Sequence, residues 1–550
     1  MPRMRDATQD ARTIADIEAA AAANDVPRAV EMARAALADG LQHPLLLNLR
    51  SYWWGQQGRP AEALEDLRHA FALAPLDPFV RNAYGTLLAK MERWPEAFEV
   101  LRESVSLAPD FAPAQYSLGW ALERTGELDE ARACFERTVA LDPGFAQPLV
   151  HLADFAQRRS DWSTAKDYAN RALALVPNHY VALTILAIVA VAENDLARAE
   201  ALITPLLGRQ PPEALDGSLV RRVLGDLRHA QGRFAQAFAA YTASNRMKYQ
   251  IYAPRYEKPG STAADYASWL AAFFEAADPA QWSAKRDLAA EPDDPRDGAA
   301  GHVFLVGFPR SGTTLLENVL ASHPDVCTLE EKDTFGGLTH AFLIDDPGRD
   351  HLAALTADEI AKHRAGYWER VAAFGAKVEG KVFVDKYPLS SIKLPIVARL
   401  FPRAKVLFAV RDPRDVVLSC YRRNFAMNSS MFEFLMIDRA ARFYGLVMNL
   451  CDIYRRRLEL DWREVRNEAL VDDFEGEARA ICEFMGLDWN AQMRDFAEHA
   501  RSRTIRTPSS VQVVRGINRE GVGQWRHYAR EMEPAMPFLN RWVEAFGYEA

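Results

Sequence analysis

The sequence predicts an all-α solenoid of helical hairpins followed by an α/β, P-loop-like domain with a parallel sheet. Three observations carry this. Residues from about 13 to 245 repeat themselves every 34 residues. Residues 302 to 331 run from an apolar strand through a glycine-bounded basic loop into a helix. Beyond them apolar runs alternate with helical patterns, as strands and helices do in parallel sheets. A chain of 550 residues is also too long for one core.

The repeat has three phases. Ala29, Ala63, Ala97, Ala131, Ala165 and Ala199 recur near helix starts, Pro75, Pro109, Pro143, Pro177 and Pro211 near helix ends, and Gly85, Gly119, Ala153 and Ala187 between them. Small residues let two helices approach closely, and a proline after the second helix stops it. Gly225 and Ala237 follow their predecessors by 38 residues, so four residues are inserted near Arg209 to Ser218, and the units number about seven. The pattern resembles tetratricopeptide repeats, which implies a groove able to bind a protein partner; a purely stabilising role is the alternative. The solenoid is expected over 13–245. Residues 246–300 follow as a docking segment (Tyr249 to Gly260), a helix (Ala263 to Ala277) and an acidic, Pro/Gly-containing linker from Ala290 to Gly301. The second domain is expected over 301–550.

In that domain His302 to Val306 reads as a buried strand and Thr313 to Ala321 as a helix, with Gly307-Phe-Pro-Arg310-Ser311-Gly312-Thr313-Thr314 between. Glycines permit φ > 0 and close backbone approach, so successive N–H groups and a helix N-terminus converge on one anion. The spacing is that of a phosphate-binding P-loop, but Thr313 stands where the lysine that reaches the terminal phosphates belongs. That argues against a nucleoside triphosphate and for a nucleotide with a smaller 5′ anion. Further strands are expected at Val382 to Val384 and Val406 to Val410, with helices at Ser391 to Leu400 and from Asp415 to Tyr421. Arg411 closes the last strand, and Ser419 and Arg423 follow it by eight and twelve residues. On a helix those two share a face and, with Arg411, can hold a second phosphate.

These motifs resemble sulfotransferases that use 3′-phosphoadenosine 5′-phosphosulfate (PAPS), and most of all bacterial ones fused to tetratricopeptide repeats. The resemblance spans about residues 300 to 530. It implies the PAPS sulfotransferase fold, with the Pro309 to Thr314 loop on the 5′-phosphosulfate and Arg411, Ser419 and Arg423 on the 3′-phosphate. Ser509 to Arg526 resembles the cofactor-covering segment of this family at Ser509, Asn518, Arg519, Gly521 and Trp525. Through the shared His323-Pro324-Asp325-Val326, Glu331 matches the catalytic base of tyrosylprotein sulfotransferases, with Glu330 as its neighbour and rival. Arg310, Lys386 and Ser509 are the groups the resemblance assigns to the developing charge. Two departures concern the nucleotide: Asn467 stands where those enzymes have a tyrosine, and Gln524 where a basic residue is expected. His323 is read as a helix cap or satisfied core group rather than a catalytic one.

Composition bounds the rest. A net charge of −9 and pI near 5.8 exclude nucleic acid and anionic membrane as general partners, so any anion site is local. Cys134, Cys327, Cys420, Cys451 and Cys482 form no C-x-x-C and read as free thiols. No acidic or histidine constellation suggests a metal, and sulfuryl transfer needs none. There is no apolar leader and no run of roughly 18 apolar residues, so a cytoplasmic protein without a membrane span is expected. The acceptor stays open among peptide tyrosine, glycan and small molecule. The rival functions are a P-loop kinase and a non-enzymatic repeat scaffold with a nucleotide-sensing domain.

Overall fold

A computed structural model describes residues 7–23, 25–278, 282, 298–502 and 516–549. The N-terminal part is a run of helix pairs: Ala7–Ala22 with Val26–Ala38, Pro44–Gln56 with Pro60–Leu73, Pro78–Lys90 with Trp94–Leu107, Ala112–Thr125 with Leu128–Leu141, Ala146–Arg158 with Trp162–Leu175, Tyr180–Ala192 with Leu196–Leu207, and Ala214–Ala230 with Phe234–Tyr256. The repeated alanines fall in the first turn of each second helix and are buried, from Ala29 at 0% exposure to Ala63 at 1%. The small residues of the first helices lie in the pair contacts. A Cβ on Gly85 would meet Leu101 Cγ at 2.7 Å, and one on Gly225 would meet Tyr241 Cε1 at 2.4 Å. Asp25, Asp77, Asp161 and Asp195 cap helices through their carboxylates.

Packing divides the chain into two compact units. One holds the chain up to Gln157 and Asp161–Leu186; the other holds Arg158–Ser160 and everything from Ala187 on. The dividing point lies inside the helix Tyr180–Ala192, so the last helix pair packs as part of the second unit. Its second helix continues past Tyr249 to Tyr256, with Pro254 in its last turn, so most of the segment expected from Tyr249 to Gly260 is helical. A further helix, Ala263–Ala276, is closed by a capping box between Thr262 and Asp265. Of the acidic linker, residues 290–297 lie outside the described residues.

The second unit is built on five parallel strands: β1 (Gly301–Gly307), β2 (Val326–Glu330), β3 (Val382–Lys386), β4 (Lys405–Val410) and β5 (Asp461–Arg466), in the order β2-β3-β1-β4-β5. Both faces are covered. Phe304, Val306, Phe383, Val406 and Phe408 point into one core, and Val303, Leu305, Val382, Val384, Leu407 and Ala409 into the other. Alternation with both sides apolar is what a parallel sheet demands. From β1 the chain leaves toward β2 and β3, whereas β4 and β5 lie on the opposite side. The carboxyl ends of β1 and β4 therefore flank the switch point where ligands bind such sheets.

Candidate active site

The loop after β1 is shaped by backbone that few side chains accept. Arg310 has φ 72°, Gly312 φ 97° and Gly307 φ 154°. A Cβ on Gly307 would sit 2.6 Å from the Ala409 carbonyl oxygen, and one on Gly312 2.5 Å from Asn467 Oδ1, so both positions need glycine. The helix Thr313–Ala321 starts at once, with Thr313 and Thr314 buried at its N-terminus. Asn467, which replaces the expected tyrosine, thus lies directly over this loop.

The second anion motif meets the first. Arg310 Nε donates to Ser419 Oγ at 3.0 Å, and Arg411 Nη1 donates to the Arg310 carbonyl oxygen at 3.1 Å. Burial, with Arg423 and Arg411 beside it, lowers the Arg310 guanidinium to about 9. Burial likewise lowers Arg423. Guanidinium groups crowded out of water make a pocket that gains from an anion. One expectation changes in form. The helix Pro413–Arg422 stops before Arg423, whose backbone is extended at φ −89°, ψ 153°, so helical spacing does not place it on one face with Ser419.

Of the C-terminal segment, Gly521 reaches the site, its carbonyl accepting from Arg411 Nη2. Asp415 accepts the backbone N–H groups of Gly523 at 2.6 Å and Trp525 at 2.8 Å. Trp525 then lies on Arg414, whose guanidinium carbon is 3.9 Å from the ring centre and which Asp412 grips at 2.9 and 3.0 Å. Asn518 shapes the turn, accepting from the Glu520 N–H at 3.1 Å. Arg519 turns outward to Asp472, with its side chain 70% exposed. Ser509 lies outside the described residues.

The second cluster surrounds Lys386, which has no exposed surface. Its ammonium group is 2.9 Å from Glu331 Oε1, 3.3 Å from Glu330 Oε1 and 3.3 Å from Glu317 Oε2. Burial acts against the charged lysine, but Glu317, Glu331 and Glu330 outweigh it and hold Lys386 above the ordinary lysine value. Glu331 is the most exposed of the three, at 36% of its side chain against 2% for Glu317. Its φ of 47° turns the chain out of β2, while its N–H donates to the Lys386 carbonyl at 2.7 Å. Glu317 was not foreseen. It sits one turn into the phosphate-loop helix and accepts from Thr328 Oγ1 at 3.1 Å. Next to Lys386, Asp385 takes hydrogen bonds from Thr334 and Tyr367, both at 2.7 Å. His323 accepts the Asp325 N–H at Nδ1 and donates from Nε2 to the Asp488 carbonyl at 2.9 Å, a structural pairing. Beyond the cluster a cavity of about 460 Å³ is lined by Asp333, Gly336, Thr339, His340, Ile344, Tyr387 and Lys393. Among the described residues no helix is long and apolar enough to cross a membrane.

Residues 302–491 match the family model of the sulfotransferase family, and residues 82–144 that of the tetratricopeptide repeat. A protein-tyrosine sulfotransferase of Drosophila melanogaster is 26% identical over 262 residues, covering 43% of this chain and 50% of that protein. An uncharacterized protein of Aquifex aeolicus is 28% identical over 249 residues, covering 43% of this chain and 32% of its own length. The chain thus spans a third to a half of these curated relatives. The sulfotransferase domain of the Synechococcus PCC 7002 olefin synthase is similar at 22% identity and a TM-score of 0.34, over 47% of this chain and 99% of that domain. The match to the sulfotransferase family model thus lies behind the match to the tetratricopeptide-repeat model in this chain.

Proposed function

We propose that the protein is a sulfotransferase that moves the sulfuryl group of PAPS to an acceptor hydroxyl, and that its repeats bind a protein partner or the acceptor. The observation that carries this reading is the meeting of the two anion motifs, Arg310 Nε on Ser419 Oγ at 3.0 Å with Arg411 on the Arg310 carbonyl. The donor set suits a nucleotide with phosphate at both 5′ and 3′ positions: a glycine-formed nest lacking the triphosphate-reaching lysine, and beside it Arg310 and Arg423, both of which burial lowers from the ordinary arginine value.

When bound, the nucleotide supplies a sulfuryl group on a 5′-phosphate leaving group. The chain's own residues do the rest. Glu331, with 36% of its side chain exposed, would take the proton of the acceptor hydroxyl at a carboxylate oxygen, leaving the acceptor's own oxygen as the nucleophile. Lys386 and Arg310 offer fixed positive charge where negative charge gathers. Glu317 and Glu330, each 3.3 Å from Lys386, keep its charge balanced when Glu331 exchanges that contact for the acceptor. Ser509 completes the set assigned to the developing charge. The acceptor is a hydroxyl of a tyrosine, a glycan or a small molecule.

Calorimetry tests the nucleotide. The full chain should bind 3′-phosphoadenosine 5′-phosphate (PAP) much more tightly than AMP, and Arg411→Ala should remove most of the difference. Equal affinity of the unaltered protein for the two nucleotides refutes the assignment. ATP with Mg²⁺ binding more tightly than PAP favours the kinase reading.

A further inference from the structure

The helix Phe234–Tyr256 carries Phe238, Thr242, Asn245, Lys248 and Tyr256 at spacings that bring them to one side of the helix. Three of them contact Tyr421 in the last turn of the helix Pro413–Arg422, and Lys248 and Tyr256 contact the stretch that follows it. Phe238 stacks on Tyr421 with ring centres 5.1 Å apart. Thr242 Oγ1 and the Tyr421 hydroxyl are 2.7 Å apart, and Asn245 Nδ2 donates to the Tyr421 carbonyl at 3.0 Å. Lys248 Nζ donates to Asn424 Oδ1, and the Tyr256 hydroxyl donates to the Met427 carbonyl at 3.3 Å. Asn245 and Lys248 are 5% and 6% exposed, so these polar contacts replace water rather than compete with it.

The partner helix of the hairpin adds a charge. Asp226, on Ala214–Ala230, accepts Arg222 Nη1 at 2.7 Å and the Tyr241 hydroxyl at 2.9 Å. The Tyr241 ring lies 5.2 Å from the Arg422 guanidinium, and Tyr528 lies 5.5 Å from it on another side. The field of Asp226 supports the charged forms of both Arg422 and Arg423.

Arg423 stands past the end of its helix in extended backbone, so its own helix does not fix its direction. What fixes it is the pair of tethered residues on either side, Tyr421 and Asn424, and both tethers come from one helix of the last repeat pair. We propose that this helix is the template of the 3′-phosphate pocket, with Thr242 and Asn245 as positioning residues for Arg423. The repeat region is then not only a docking device: its last hairpin sets nucleotide discrimination. This rests on the reading of Arg411, Ser419 and Arg423 as 3′-phosphate ligands.

The test uses the full chain, titrated calorimetrically with PAP and with AMP, in unaltered form and as Thr242→Val/Asn245→Leu, a pair that keeps the branching of the original side chains without their hydrogen-bonding groups. PAP affinity should fall about ten-fold, the size of one phosphate contact, while AMP affinity changes less than about two-fold. Thr242→Ser with Asn245 intact, which keeps the hydroxyl and the amide, should restore PAP binding. A merely structural role would weaken both nucleotides together, and that result, or unchanged PAP affinity, overturns the proposal. If the unaltered protein itself does not prefer PAP, the sulfotransferase reading falls and takes this inference with it; if it does and the double variant keeps the preference, only this inference falls.

Discussion

Among the described residues from 298 on, the non-glycine residues with φ above zero are Arg310 at 72° and Glu331 at 47°, both of them proposed to take part in the chemistry. Such backbone costs about 1–3 kcal/mol per residue and persists where the surroundings dictate it. For Glu331 the dictation is visible: its N–H is bound to the Lys386 carbonyl and its carboxylate to the Lys386 ammonium, so β3 holds the residue at both ends. Glu331→Gln should therefore keep nucleotide affinity while kcat falls about 10²–10⁴-fold, as expected for loss of a general base, whereas Glu330→Gln should leave most of the rate. Steady-state kinetics on labelled sulfate transfer checks both; the reverse pattern assigns the base to Glu330. Glu331 could be singled out as a candidate because the shared His323-Pro324-Asp325-Val326 numbers it from the phosphate loop. Glu317 could not. In Leu315-Leu316-Glu317-Asn318-Val319 a glutamate reads as a helix's wet side, and only the passage of β3 beneath that helix makes it a buried partner of Lys386.

Among the elements, the helix pairs were readable because each unit repeats one packing problem, the close approach of two helices, and solves it with a small residue. Gly119 is such a point, with a Cβ there reaching 3.0 Å from both Cys134 Cβ and Phe135 Cε1. Gly119→Leu should destabilise the first unit by about 1–3 kcal/mol through overpacking, read as a lower urea midpoint with the helical signal otherwise retained. The central strands were equally plain, being short apolar runs. The edge strands were not: β2 is Val-Cys-Thr-Leu-Glu and β5 Asp-Trp-Arg-Glu-Val-Arg, half exposed and charged, and they are strands because β3 and β4 offer them free ladder edges. The extent of Phe234–Tyr256 was hidden for a similar reason. Its hydrophobic periodicity fades while its polar face, Thr242, Asn245 and Lys248, is used for contacts that no repeat pattern encodes.

At the scale of the molecule, a buried line of polar groups on one face of the sheet couples stability to pH. The Tyr367 hydroxyl donates to Asp385 at 2.7 Å, and therefore receives its 3.0 Å hydrogen bond from His302 Nε2. That fixes a neutral imidazole with its proton on Nε2. Burial lowers His302 from 6.5 to about 3 and raises Asp385 from 3.8 to about 6, the latter against the pull of its Thr334 and Tyr367 hydrogen bonds. The two act with opposite sign over one window. Between about 3 and 6.5 the unfolded histidine binds a proton that the folded one does not, so its contribution to stability rises with pH. Between 3.8 and about 6 the folded aspartic acid keeps a proton that the unfolded one loses, so its contribution is full below 3.8 and is lost as pH rises through 6. In the unaltered protein the slopes largely cancel near pH 4–6. Each should appear alone when the other is removed: Asp385→Asn should gain stability as pH rises through this range, and His302→Phe should lose it, each on the order of 2–3 kcal/mol. Urea midpoints of the full chain at pH 4, 5 and 6 decide it. Parallel pH profiles for the two variants would mean that the buried line does not govern this window.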